Sequence, residues 1–100
     1  MAKLTPKQIK EALPTVKDWK KRGASIVRTC QFKDFAEAMK FVNQVARAAE
    51  KANHHPDIDI RWRKVTLALV THDAGGLTWR DTKLAAEADT LFAQVVKQGG

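Results

Sequence analysis

With 100 residues, 44% of them hydrophobic, the chain has the length and apolar content of a single domain, 1–100, with a two-layer core. A formal net charge of +7 favours anionic partners, but the cations are scattered and Lys20-Lys21-Arg22 is the one tight cluster, so no direct nucleic-acid partner is expected. Cys30 is the only cysteine, which excludes an internal disulfide and a cysteine zinc cluster; no segment nears the roughly 20 apolar residues of a membrane span and no apolar leader follows Met1, so a soluble cytoplasmic protein is expected.

The first predicted element is a short helix. Thr5 caps it, Pro6 fits its first position, Gln8 completes a capping box, and Leu4 and Ile9 are spaced as a hydrophobic staple. Pro14 ends it. A short strand is expected at 16–19, with Lys20-Lys21-Arg22 before Gly23 reading as a turn. Ile26, Arg28, Cys30 and Phe32 then share one face of a strand over 24–32.

Asp34 followed by Glu37 is a helix-start signature, and Phe35, Met39, Val42, Ala46 and Ala49 recur at helical spacing, so a helix about 28 Å long is predicted over 34–52. Asn53-His54-His55-Pro56 terminates it, since the residue before a proline is biased to extended geometry. Two alternating runs follow. Ile58, Ile60 and Trp62 form one apolar face, with Trp62 expected in the core; Val65, Leu67 and Leu69 form another. After Gly75-Gly76, Thr78 and Asp81 make a third capping box, and Leu84, Ala88, Leu91 and Val95 stripe a last helix. Strands paired in sequence with helices between them predict the α+β class, an antiparallel sheet with helices on one face.

All three histidines fall at element ends: His54 and His55 leave a helix, and His72 leaves a strand. Such junctions present side chains from a rigid scaffold, and imidazole exchanges protons near neutrality. A histidine there also stabilises the carbonyl end of a helix, so for His54 both readings stand. A zinc site of three histidines and water is a third option, although adjacent His54 and His55 are badly placed to face one ion.

The run Glu50, His54-His55-Pro56, Trp62, His72 and Asp81, with gaps of three, five, nine and eight residues, resembles the signature of the pterin-4a-carbinolamine dehydratase family. The similarity extends to Trp19, to the strand from Ile26 to Phe32 with Lys33-Asp34-Phe35, and to Thr71, Gly76-Leu77 and Arg80, nearly the whole chain. It implies a four-stranded antiparallel sheet with three helices on one side, and a homodimer or homotetramer formed partly by joining sheets. It implies a hydro-lyase that removes water from 4a-hydroxytetrahydrobiopterin to give the quinonoid dihydropterin, recycling the cofactor of aromatic amino acid hydroxylases. A pterin is then the small-molecule partner, with no cofactor or metal.

By the same resemblance His54 and His72 are the catalytic residues, proton donors for the leaving hydroxyl, and His55 mainly holds the pterin. Glu50 is expected to support His54 four residues on, and Asp81 to serve the helix start first and the site second. Trp79 reads as either a half-buried anchor or a pocket wall. Two positions depart from animal relatives: Asn53 stands where Asp is frequent and Ala74 where Cys is. The alternative is a protein on the same fold that acts as a dimerisation, assembly or transcriptional cofactor.

Overall fold

The computed structural model describes residues 2–99, whose elements run α1 (Pro6–Ala12), a 3₁₀ turn (Leu13–Val16), β1 (Lys20–Arg22), β2 (Ser25–Gln31), α2 (Phe35–Ala52), β3 (Asp57–Arg61), β4 (Lys64–Leu69), a 3₁₀ turn (His72–Ala74) and α3 (Trp79–Gly99). The strands form one antiparallel sheet in the order β1-β2-β4-β3. Three α-helices and this sheet make the α+β architecture expected from the sequence.

Local chemistry sets the helix starts. Thr5 Oγ1 accepts from the Gln8 N–H at 3.2 Å while the Gln8 side chain accepts from the Thr5 N–H at 2.9 Å. Asp34 accepts from the Glu37 N–H at 2.8 Å, and the buried Glu37 carboxylate accepts from the Lys33 N–H at 3.2 Å. These contacts satisfy N–H groups that have no partner within their helices.

The core lies between the helices and one face of the sheet. Ile26 and Cys30 of β2, with Phe32 just beyond it, and Val65, Leu67 and Leu69 of β4 meet Ala38, Phe41, Val45 and Ala49 of α2 and Leu84, Ala88 and Val95 of α3. Of the stripe read for α3, Leu84, Ala88 and Val95 are buried and Leu91 is partly buried against them. Of the stripe read for α2, Val42 and Ala49 are buried and Met39 packs against the core, but Phe35 is 51% exposed and Ala46 is exposed; Ala38, Phe41 and Val45 complete the buried face.

Arg28 is the exception on the core face of β2. Its guanidinium pairs with Asp89 of α3 at 2.5 Å and lies 4.8 Å from the Phe92 ring centroid; the Trp19 indole N–H donates to the same Asp89 carboxylate at 2.8 Å. The strand keeps its period because its one charge has a partner on the helix above.

Two expectations fail at the ends of strands. Residues 16–19 are not a strand: Val16 closes a 3₁₀ turn, and the Trp19 N–H bonds to the Val16 carbonyl at 2.9 Å, which buries both side chains at turn spacing. The expected turn Lys20-Lys21-Arg22 is instead β1, an edge strand whose three residues are all exposed and whose charges discourage further pairing. Gly23, at φ 59°, makes the turn into β2.

Trp62 is also not in the core. It is 69% exposed and adopts φ 55° in the two-residue connection between β3 and β4. Ile60 is 39% exposed, because β3 is an edge strand at the margin of the helical layer.

Candidate active site

The three histidines line one open cleft of about 240 Å³, together with Asn53, Thr71, Asp73 and Arg80. Two local stops bring them there. Helix α2 ends at Asn53, which takes the left-handed conformation (φ 50°, ψ 44°) and bonds back to Ala49 and Glu50. The reversal sends the buried His54 toward α3 and leaves His55 on the surface. At the end of β4, Thr71 bridges to Gly76, and the 3₁₀ turn from His72 holds the third imidazole at the exposed rim.

His54 is fixed by the fully buried Asp81. Its Nε2 lies 2.6 Å from Asp81 Oδ1. The other carboxylate oxygen accepts from the Thr71 hydroxyl and from the Thr78 N–H, both at 2.9 Å. The Thr71 proton is thereby committed, so the Thr78 hydroxyl donates across the 2.8 Å gap to Thr71, and it accepts in turn from the Arg80 N–H at 3.2 Å. Thr71 and Thr78 both donate to Oδ2, which leaves Oδ1 to His54 alone. With the carboxylate ionised it accepts on both oxygens, which assigns the proton on His54 to Nε2 and leaves Nδ1 to exchange a proton with a ligand.

Glu50 behaves differently from expectation. Its carboxylate pairs with His55 Nε2, not with His54. The four-residue spacing to His54 presumes a continuing helix, and Asn53 ends it. The support expected from Glu50 is supplied to His54 by Asp81. That carboxylate has both roles at once, since the Thr78 N–H it accepts from lies at the start of α3. No signal in the sequence ties residue 54 to residue 81 except the signature itself.

Trp79 is 54% exposed and lines an adjacent recess rather than the histidine cleft. Arg80, given no role by the sequence reading, lines both. Among the described residues no cluster of three or more His, Cys, Asp or Glu side chains is arranged to hold a metal ion.

An α+β scaffold that gathers three imidazoles on one accessible cleft, one of them oriented by a buried carboxylate, is equipped for acid–base chemistry on a small bound molecule. Residues 2–91 match the family described as pterin 4 alpha carbinolamine dehydratase, and the chain belongs to that family. A protein of Acidobacterium capsulatum that carries pterin-4-alpha-carbinolamine dehydratase as a provisional name is 58% identical over 92 residues, 92% of this chain and all of that one. A Mycobacterium tuberculosis protein with the same provisional name is 46% identical over 92% of this chain and 98% of its own.

Among solved structures, a transcriptional coactivator/pterin dehydratase from Brucella melitensis superposes with a TM-score of 0.86 at 35% identity, covering 89% of this chain and 97% of that one. A pterin dehydratase-like protein described as a RuBisCO assembly factor in the alpha-carboxysome shares the fold, with a TM-score of 0.62 at 20% identity over 74% of this chain and 86% of its own.

Proposed function

We propose that this chain is a hydro-lyase that eliminates water from a 4a-hydroxytetrahydropterin, giving the quinonoid dihydropterin and so recycling the pterin cofactor of aromatic amino acid hydroxylases. The observation that carries this reading is the convergence of His54, His55 and His72 on one open cleft within a chain of this family.

The reaction breaks the C4a–O bond and a ring N–H bond, forms a C=N bond and releases water. Hydroxide leaves poorly, so an acid must protonate it while a base takes the nitrogen proton. His54 and His72 are the groups assigned to those transfers. His54 is held by Asp81 with Nδ1 available, and the exposed His72 lines the same cleft. His55, paired with Glu50, is assigned to holding the ring. No step requires electron transfer or a Lewis acid.

The test is the breakdown of 4a-hydroxytetrahydropterin by protein dialysed against a chelator. Acceleration over the buffer rate is expected; a rate equal to buffer refutes the activity.

The active unit is proposed to be a cytoplasmic homo-oligomer of this single domain. The exposed Phe35, Ile60 and Trp62 support self-association: Phe32, three residues before Phe35, bonds to Arg63, which places all three at one end of the sheet. The buried free Cys30 suits a reducing compartment. A coactivator or assembly role, as named for the two structural neighbours, is the second reading, and it does not account for three imidazoles left at an open cleft.

A further inference from the structure

Beside the histidine cleft lies a second recess, of about 250 Å³, between the end of α2 and the start of α3. His54 and Arg80 line both, so the two spaces share a wall. The recess has an apolar floor that includes the buried Leu84, and the exposed Trp79 ring stands at its side. Its charge is unbalanced: Lys51, Arg80 and Lys83 face it against the single carboxylate of Glu87. None of these three cations forms an ion pair with a carboxylate among the described residues. The Lys83 ammonium lies 5.7 Å from the Trp79 ring centroid, so charge and aromatic surface are presented together.

A bicyclic pterin held by the three imidazoles uses the first cleft. The part of such a substrate that varies is the substituent on C6, and it must leave the ring toward some neighbouring surface. A neutral, hydroxylated chain gains little from unpaired cations over an apolar floor. A flat apolar linker ending in an anion gains from both: the linker covers Leu84 and stacks on Trp79, and the anion meets Lys51 and Lys83. Building on the dehydratase reading above, we propose that this recess is a subsite for the C6 substituent and selects pterins whose substituent is an aryl group carrying a carboxylate.

Three substrates separate charge from size: the 4a-hydroxy adducts of 6-methyltetrahydropterin, of tetrahydropteroate with its aryl carboxylate, and of the corresponding neutral aryl amide. For the unaltered protein at low salt, kcat/KM for the carboxylate is expected to exceed that for the amide by about tenfold, an advantage that fades as salt is raised. The double variant Lys51→Ala/Lys83→Ala, both positions exposed, should lose that advantage and keep its rate on the methyl compound within about twofold. Equal turnover of carboxylate and amide by the unaltered protein overturns the subsite while leaving the dehydratase intact. So does an advantage that persists in the double variant. Failure of the unaltered protein to turn over even the methyl adduct brings down the dehydratase reading, and the subsite with it.

Discussion

The contact between His54 and Asp81 decides what the histidine can do. A carboxylate that accepts on both oxygens, in a position closed to water, holds the imidazole in one tautomer and one orientation. Asp81→Asn keeps the shape but can offer an N–H where an acceptor is needed. It is expected to lower kcat at least about 100-fold with KM changed little, a split that steady-state kinetics reads directly. A purely structural Asp81 would instead lower the melting temperature and leave kcat per folded molecule alone. Cys30 makes a second prediction: burial pushes its thiol from 9.0 up to about 11. The folded chain keeps this proton where the unfolded chain has lost it, so Cys30 draws stability down as pH rises from about 9 to 11. Cys30→Ser should flatten that part of a stability curve measured by urea unfolding. The three histidines were legible in the sequence because each sits at a break in periodicity. The partner of His54 was not, because a spacing of 27 residues between a helix end and the next helix start carries no local pattern.

Among the elements, β2 and α3 are tied by a charge inside an otherwise apolar contact. Arg28 has Asp89 at 2.5 Å and Asp18 at 3.7 Å, and the Asp89 carboxylate also accepts from Trp19. Asp89→Ala leaves a half-buried guanidinium and an indole N–H without their main acceptor, and a loss of roughly 2–4 kcal/mol in urea unfolding is expected. Replacing Arg28 and Asp89 together by Met and Leu should recover much of that loss, because an apolar pair removes the orphaned charge. The alternation Ile26, Arg28, Cys30, Phe32 revealed the strand but could not reveal why an arginine belonged on its inner face; that answer lies 61 residues away. Element β1 was misread for the opposite reason. Lys20-Lys21-Arg22 has no apolar alternation to detect, since an edge strand covered on neither face has no need of one. Val16 and Trp19, which do look like buried strand residues, are buried by a turn.

At the scale of the molecule, helices cover one face of the sheet and leave the β3 margin partly bare. Trp62 was expected in the core because it continues the spacing of Ile58 and Ile60, but two residues are all that join β3 to β4 and Trp62 is one of them. An exposed tryptophan near Phe35 and Ile60 is apolar surface that a second copy of the chain would bury. Light scattering should therefore give a mass above that of the 11.2 kDa chain, and Trp62→Ser with Ile60→Lys should shift it toward the monomer. A monomeric unaltered protein at micromolar concentration refutes the oligomer. The central claim is that a helix end and a strand end bring His54 and His72 to work on the same elimination, at the leaving hydroxyl and the ring N–H. Its most direct test is a kinetic cycle on the carbinolamine with His54→Ala, His72→Ala and the double variant. Each single change is expected to cost about 10²–10⁴-fold in kcat, with the double variant no faster than the slower single. A double variant that turns over at the rate of the unaltered protein contradicts the account.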